Sequence, residues 1–199
     1  MNALPHSPAC DRNRDPILAC ITPGLAAARR VVEIGSGTGQ HAAWFAPRLP
    51  HLVWLATDLP ANHGGICGWI EASGAGNIEG PLALDTLADD WPDLGPVDAA
   101  YSANTAHIMP QPAVVAMFEG LGERLPPAAP FYLYGPFMEQ GRHTSESNAA
   151  FDADLRARGH GMGIRDLAWL LQVAALAGFE LADVEPMPAN NRVLVWRRT

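Results

Sequence analysis

Short apolar runs alternate with longer segments of mixed polarity along most of the chain. The runs are rich in β-branched and aromatic residues and have the length of buried strands, whereas apolar residues recur at helical spacing in several segments between them. Strands that alternate with helices are typical of an α/β fold, a parallel, doubly wound sheet with helices on both faces. The last two runs are joined by a short turn and predict a C-terminal hairpin. The predicted strands are 30–34, 51–57, 77–84, 97–102, 131–134, 179–185 and 192–196.

The segments between the strands predict five helices and one insertion. Asp15 followed by Pro16 predicts the start of the first helix, since Asp is a good N-cap and Pro is favoured at the first helical position. A polar stretch after the fifth strand, 138–163, predicts a lid-like insertion over the site. Residues 1–11 predict a flexible N-terminal lead to a single domain at 12–199. The predicted helices are 16–21, 37–48, 61–73, 111–125 and 164–177.

The first predicted strand runs into a glycine-rich loop, Glu33-Ile34-Gly35-Ser36-Gly37-Thr38-Gly39-Gln40-His41. Glycine lets the backbone adopt positive φ and lets N–H groups approach a ligand without obstruction by a Cβ atom. The helix that follows directs the positive end of its dipole at that ligand. A dinucleotide-binding loop needs a third glycine at the position of Gln40. The pattern instead resembles motif I of class I S-adenosylmethionine (SAM)-dependent methyltransferases, although any Gly-rich turn from strand to helix has a similar composition.

Polar residues follow the carboxyl ends of later strands, where an open α/β sheet binds its ligands. Asp58 lies where such folds place a carboxylate on the ribose hydroxyls, although it could instead cap the next helix. Asp85 ends the third strand; in the methyltransferase pattern this acid, or the backbone beside it, contacts the adenine amino group. An Asp that opens the turn into Thr86 would look the same. Asn104 and His107 follow the fourth strand.

Composition and charge narrow the class of protein. The chain has 199 residues, 48% of them hydrophobic and 17% charged, which is typical of one globular domain. Its formal net charge of −8 at pH 7 argues against a nucleic acid or an anionic membrane as a partner, because binding to phosphates depends on basic residues. We therefore expect a small-molecule substrate.

Cysteine usage and the start of the chain favour a cytoplasmic protein without a metal site. Cys10, Cys20 and Cys67 form no C-x-x-C pair and have no His at metal-ligand spacing. Residues 1–11 show no signal-peptide pattern, and the longest apolar stretch, 167–177, is too short to span a membrane. We expect no metal, no disulfide framework and no membrane partner, and a homodimer is compatible with these properties.

Eight longer strings lie along nearly the whole chain from residue 12, at 12–18, 33–41, 103–108, 134–137, 141–144, 147–152, 163–166 and 187–191. They resemble one specific group, the domain of unknown function 938 family, which includes methyltransferase-like protein 26. The resemblance implies a Rossmann-like class I methyltransferase fold, with a mostly parallel seven-stranded sheet and an antiparallel last strand. It does not identify a substrate. The chain departs from the family at 58–65, around the adenosine contact expected at Leu59.

The same resemblance implies a binding site for SAM and for its product, S-adenosylhomocysteine (SAH). The string Arg12-Asn13-Arg14 on its own indicates a solvated helix start. In this family we expect it to fold over the cofactor, with an Arg side chain pairing the methionine carboxylate bidentately. The predicted cofactor-binding residues are Arg12, Asn13, Arg14, Glu33, Gly35, Ser36, Gly37, Gly39, His41, Asp58, Leu59, Asp85, Thr86 and Asn104.

Methyl transfer from a sulfonium is an in-line displacement, so the protein must chiefly position the acceptor and exclude water. A base is needed only when the acceptor must lose a proton, and His107 is the first candidate because an imidazole titrates near neutrality. Tyr134 and His143 complete the predicted catalytic residues, and each of the three could instead have a structural role. A cluster of Arg142 with Arg165 would indicate an acceptor that carries a carboxylate or phosphate.

Two other functions fit parts of the sequence. A SAM- or SAH-binding regulatory module without transfer activity would need fewer polar residues at the strand ends than this chain has. A nicotinamide-dependent oxidoreductase would need glycine where Gln40 stands. We expect a SAM-dependent methyltransferase that acts on a small molecule.

Overall fold

The computed structural model describes residues 3–199, so Met1 and Asn2 of the predicted lead lie outside the described residues. One large sheet organises the chain, and its strand order is β3-β2-β1-β4-β5-β10-β9. Its strands are β1 Arg30–Ile34, β2 Val53–Asp58, β3 Ile78–Ala83, β4 Ala99–Ala103, β5 Pro130–Gly135, β9 Phe179–Met187 and β10 Asn191–Arg198.

The sheet is parallel except for β10. Strand β1 pairs in parallel with β2 on one side and with β4 on the other, so that Val32 faces both Leu55 and Ala100. Strand β10 lies between β5 and β9 and is antiparallel to both. The expected mostly parallel, seven-stranded sheet with a C-terminal hairpin is confirmed. Because the strand order reverses between β1 and β4, the loops that follow these strands diverge and leave a crevice at the carboxyl edge.

Helices cover both faces of the sheet. Ile17 and Ile21 of α1 and Phe45 of α2 pack on one face, while Val114 of α4 and Leu170 of α6 pack on the other. Both apolar clusters are fully buried, as expected for a doubly wound sheet. The helices are α1 Pro8–Ile21, α2 Gln40–Phe45, α3 His63–Ser73, α4 Gln111–Arg124, α5 Glu146–Arg158 and α6 Leu167–Leu176. Single 3₁₀ turns lie at Pro23–Leu25, Ala46–Arg48, Pro60–Asn62 and Pro188–Asn190.

The first helix begins at Pro8, well before the expected start at Asp15, and it continues through Pro16. Residues 8–11 of the predicted lead are therefore helical. The Asp15 carboxylate does not cap a helix but accepts a hydrogen bond from the Trp44 indole at 3.0 Å. The start signal at Asp15 and Pro16 therefore lies inside a longer helix, because docking on α2 outweighs the preference of a single proline.

The insertion after β5 has a small sheet of its own. Strands β6 Phe137–Glu139, β7 Arg142–His143 and β8 Arg165–Asp166 are arranged in the order β7-β6-β8, with α5 between β7 and β8. The expectation of a helix from residue 164 is wrong at its start. Residues 165 and 166 pair with β6, and the Asp166 carboxylate caps α6 by accepting from the Ala168 N–H at 2.7 Å.

Candidate functional site

A cavity of about 550 Å³ opens at the carboxyl ends of β1, β2, β3 and β4. The loops after these four strands form its walls, and Ser7, just before α1, and Cys10, in its first turn, contribute from the N-terminal side. This is the crevice that the reversal of strand order creates. Nine of the predicted cofactor-binding residues line it: Gly35, Ser36, Gly37, His41, Asp58, Leu59, Asp85, Thr86 and Asn104.

The glycine loop forms the floor of the cavity, and all three glycines have positive φ, at 73°, 60° and 88° in chain order. A Cβ atom on Gly35 would lie 2.6 Å from Thr105 Cγ2, and one on Gly39 would lie 2.8 Å from the Ile66 Cα of α3. A Cβ on Gly37 would have no atom within 4 Å, since this residue faces open space. Two glycines therefore permit close packing, and the middle one leaves room for a ligand.

Glu33 lies behind the loop and holds it in place. Its carboxylate accepts hydrogen bonds from the Ser36 hydroxyl and the Trp54 indole, both at 2.9 Å. Burial raises the pKa of Glu33 to about 7, against the lowering effect of these two hydrogen bonds. Glu33 does not line the cavity.

Asp58 connects the ends of β1 and β2. Its Oδ2 accepts from the Gly37 N–H at 2.6 Å, and its Oδ1 accepts from the Leu59 N–H at 2.7 Å and from the Asn62 amide at 2.8 Å. A carboxylate offers about four lone-pair positions. One position therefore remains on Oδ2, directly at the glycine loop, and it can accept a hydrogen bond from a ligand hydroxyl.

The other end of the cavity is largely apolar. Leu59, Leu84, Leu87 and Ile108 line it, and three of these are among the most exposed large hydrophobic residues of the chain. Asp85 lies beside them, and one of its carboxylate oxygens accepts from the Leu87 N–H at 3.0 Å. A flat apolar group that carries a hydrogen-bond donor fits this end, because apolar side chains and one carboxylate oxygen are available together.

Asn104 follows β4 in a left-handed conformation, with φ 59°, and its N–H donates to the Tyr134 carbonyl at 2.9 Å. Asn tolerates positive φ better than most residues. The next residue, Thr105, is fixed by a 2.5 Å hydrogen bond between its hydroxyl and that of Ser102. These two hydrogen bonds fix the loop after β4, which forms one wall of the cavity.

Two of the predicted arginines lie away from the cavity. Arg14 donates to the Asp11 carboxylate at 3.0 Å, and its guanidinium carbon lies 3.6 Å from the centre of the Trp44 ring. Arg48 approaches the same ring at 3.4 Å. Arg12 is exposed. Burial raises the pKa of Tyr134, and the positive charge of Arg12 partly opposes that rise. Neither Arg12 nor Arg14, the two arginines predicted to pair a methionine carboxylate, lines the cavity.

The three predicted catalytic residues are not brought together in the cavity. His107 is buried behind the wall, where its ring packs edge-on against Phe151 at 5.3 Å between centroids. Burial, with the nearby charge of Arg165, lowers the pKa of His107 to about 4. Tyr134 is buried beneath α1, and His143 lies in the insertion, 3.4 Å from the Asp152 carboxylate. Their catalytic roles stay predictions, and none of them lines the cavity.

The insertion is attached to the cavity wall by Arg165. This buried guanidinium donates to the carbonyls of Ala106, at 2.9 Å, of Met109 and of Gly161, at 2.7 Å. The Gly163 N–H adds a bond to the His107 carbonyl at 2.9 Å. Arg165 therefore connects the insertion to the loop after β4, and a cluster of its guanidinium with Arg142 stays a prediction.

Residues 3–199 contain neither a candidate metal site nor a candidate membrane-spanning helix. Within residues 3–199, no three His, Cys, Asp or Glu side chains are grouped so that they could hold a metal ion. In the same part of the chain, every helix is too short or too polar to cross a bilayer. Cys10, Cys20 and Cys67 are free thiols.

A family model described as "Protein of unknown function (DUF938)" matches residues 4–198. The chain belongs to this family.

Solved methyltransferase structures share the fold of this DUF938 protein. An O-methyltransferase family 2 protein from Planctomyces limnophilus in complex with apigenin has a TM-score of 0.82 at 15% identity, over 94% of this chain and 56% of that one. Human N-acetylserotonin methyltransferase in complex with SAM has a TM-score of 0.80 at 14% identity, over 96% and 52%. An O-methyltransferase family protein from Burkholderia thailandensis has a TM-score of 0.77 at 18% identity, over 94% and 58%.

The DUF938 chain thus has the Rossmann-like class I methyltransferase fold, and it spans a little over half of the length of the structures that it matches. The identities are low enough that the likeness shows the fold alone.

Sequence reasoning missed several residues that line the cavity. Ser7 and Cys10 were placed in a flexible lead, although Ser7 followed by Pro8 is the same kind of helix-start signal as Asp15 followed by Pro16. Thr105 and Asn62 follow predicted strands and could have been found by the strand-end rule. The apolar residues of the cavity cannot be recognised from the sequence, because a Leu in a cavity wall and a Leu in the core occur in the same sequence patterns. They are Ile34, Leu84, Leu87, Ala103, Ile108, Met109, Pro110 and Ala113.

Proposed function

We propose that this protein is a SAM-dependent methyltransferase that transfers a methyl group to a small-molecule acceptor. The single observation that carries the proposal is the cavity, in which a glycine loop, a carboxylate after the second strand and an apolar end with Asp85 follow one another. Two structural neighbours, one in complex with SAM and one with apigenin, support the cofactor and the acceptor class.

The residues present fit SAM. The open face at Gly37 accommodates the ligand backbone, and the free position on Asp58 Oδ2 can accept a ribose hydroxyl. The apolar end at Leu59, Leu87 and Ile108 fits the adenine ring, whose amino group can donate to Asp85. The methionine part then points towards Ser7, Cys10 and His41.

SAM supplies an electrophilic methyl group on a sulfonium, and the chain's own residues must orient the acceptor against it. Asn104, at the edge of the cavity next to Tyr134, is the polar side chain best placed for this role. Orientation with exclusion of water accounts for most of the catalysis in such displacements. We keep His107, Tyr134 and His143 as candidates for accepting the proton of an acidic acceptor.

A non-catalytic SAM- or SAH-binding regulatory module is the second candidate. One observation favours it: none of the three predicted catalytic side chains lines the cavity. This module would bind SAM and SAH as well as an enzyme does, so the two functions differ only in turnover.

Calorimetric titration with SAM, SAH and NADH tests the proposal. We expect micromolar binding of SAM and SAH and no response to NADH, because Gln40 occupies the position of the third glycine of a dinucleotide loop and accepts from the Ser7 N–H at 2.5 Å. A folded protein that binds neither SAM nor SAH contradicts the proposal. If SAM binds, mass-spectrometric screening of phenols, carboxylic acids and amines for a gain of one methyl group separates the enzyme from the regulatory module.

We extend the proposal in three further respects. Within DUF938, the strings from 12–18 to 187–191 support a place in the methyltransferase-like protein 26 group. The acidic charge argues against a nucleic-acid partner, and the cytoplasmic location stays a prediction. A homodimer is compatible with the fold and is tested by sedimentation equilibrium.

A further inference from the structure

A buried polar chain joins α1 to the wall of the cavity. Asn13 of α1 is 6% exposed, and its side-chain oxygen lies 2.8 Å from His41 Nε2 on α2. The other ring nitrogen, His41 Nδ1, lies 3.2 Å from the Tyr101 hydroxyl of β4. The His41 ring is stacked on Phe45 at 5.0 Å between centroids, so its orientation is fixed.

The partners of His41 determine its tautomer. The Asn13 oxygen can only accept, so Nε2 carries the hydrogen and donates it. A neutral ring then has an accepting Nδ1, which receives the hydrogen of the Tyr101 hydroxyl. Burial, with the charge of Arg14, lowers the pKa of His41 to about 4, so the ring is neutral at physiological pH.

Cys10 of helix α1 and Ser7, the residue before it, both line the cavity. Ser7 and Cys10, within two turns of Asn13, line the end at which the glycine loop and His41 lie. The segment before α1 has further contacts on the neighbouring helices: the Ser7 N–H donates to Gln40, and the Pro5 carbonyl accepts from the Trp69 indole at 2.7 Å. Residues 5–13 therefore cross one end of the cavity and are held on both sides.

We propose that Asn13 is a positioning residue: by accepting from His41 it keeps α1 seated over the methionine end of the cavity, and the seated helix retains SAM and SAH. The inference rests on the proposed function for the identity of the ligand. It does not need that function for the seating itself, since the contacts of Asn13 are formed without a ligand.

Cys10 reports the position of α1. In a Cys20→Ser, Cys67→Ser background it is the single thiol, and burial raises its pKa and slows its alkylation. We expect Asn13→Ala to raise the rate of Cys10 alkylation by iodoacetamide about tenfold and to weaken SAH binding by a similar factor, since one buried hydrogen bond is lost. Asn13→Asp, which keeps an acceptor for His41, should restore most of the protection.

Asn77→Ala is the matched control for loss of stability. The Asn77 amide donates to the carbonyls of Ala46, Leu49 and Leu52, in the segment after α2, so its removal destabilises the fold but leaves the bond between Asn13 and His41 in place. The unfolding temperature should fall in both Ala variants, whereas Cys10 alkylation at 20 °C or below should accelerate only in Asn13→Ala.

Equal alkylation rates in the parent and Asn13→Ala proteins would overturn the proposal, as would a failure of Asn13→Asp to restore protection. The proposed function fails in a different way. If SAH binds to none of the variants, including the parent, the ligand is wrong, while the dependence of Cys10 alkylation on residue 13 in the ligand-free protein still measures the seating of α1.

Discussion

The Ser36 hydroxyl, at the wall of the cavity, donates a hydrogen bond of 2.9 Å to the Glu33 carboxylate behind it, and both residues are buried. This pair makes the stability of the protein depend on pH. Burial raises the pKa of Glu33 from its ordinary value of 4.5 to about 7, so the folded state holds a proton that the unfolded state has already released. Stability attributable to Glu33 is complete below pH 4.5 and is lost as the pH rises through 7.

Glu33→Gln should remove this dependence, because the amide oxygen can still accept from Ser36 and Trp54 without ever carrying a charge. We expect the variant to gain stability over the parent as the pH rises from 5 to 8, by up to roughly 3 kcal/mol. Urea unfolding at pH 5, 6, 7 and 8 measures the difference. The exposed Glu71→Gln serves as the control and should change nothing; a difference between Glu33→Gln and parent that stays constant with pH contradicts the prediction.

Asp58→Ala should weaken SAH binding at least about tenfold, because it removes the free acceptor at Oδ2 and releases the Gly37 N–H and the Asn62 amide. Calorimetry at pH 7.5 checks this against Asp90→Ala, an exposed acid away from the cavity. Affinity that is unchanged in Asp58→Ala removes this carboxylate from the cofactor site.

Arg165→Met should destabilise the fold by about 2–4 kcal/mol, since three carbonyls on two segments lose their donor inside the protein. It should also weaken SAH binding, because Met109 belongs to the cavity wall. Urea unfolding and calorimetry give the two values. Arg158→Met is the control: the exposed Arg158–Asp154 pair contributes about 0.5 kcal/mol or less. A loss of stability no larger than that of the control would show that the three hydrogen bonds of Arg165 do not stabilise the fold.

His107 should titrate near pH 4, well below an ordinary imidazole, because burial and Arg165 disfavour its charged form. Its contribution to stability is complete above pH 6.5 and is lost as the pH falls towards 4. An NMR titration of the imidazole C–H signals, assigned with His107→Gln, measures the midpoint. A midpoint between pH 6 and 7 is the contrary result, and it would restore His107 as a base matched to neutral pH.

Strands were the part of the fold that local sequence determined most directly. Val31, Val32 and Ile34 form a run that is short, β-branched and buried on both faces, so length and composition sufficed to place β1. The two misplaced boundaries have tertiary causes. Residues 8–13 are helical because they dock on α2, and Arg165 is in a strand because it pairs opposite Phe137. Nothing in the local sequence records either partner.

The candidate site divides in the same way. Gly37, Asp58 and Asp85 were predictable because each follows a strand directly, and parallel strands bring such positions to one edge. Arg12 and Arg14 were predicted from the chemistry of the guanidinium group alone, because the sequence does not show where their side chains lie. An Arg can pair a carboxylate, but the fold places Arg14 on the Trp44 ring. The functions of Asn13 and Arg165 depend on residues distant in the chain, and only the assembled structure shows which groups their side chains reach.

The attachment of the insertion through Arg165 also bears on how such proteins diversify. Loops and insertions generally tolerate change better than a sheet does. Here the insertion and the wall of the cavity share one guanidinium. Exchange of the insertion for another segment would therefore also alter the shape of the cavity wall, so the two parts of the protein cannot change independently.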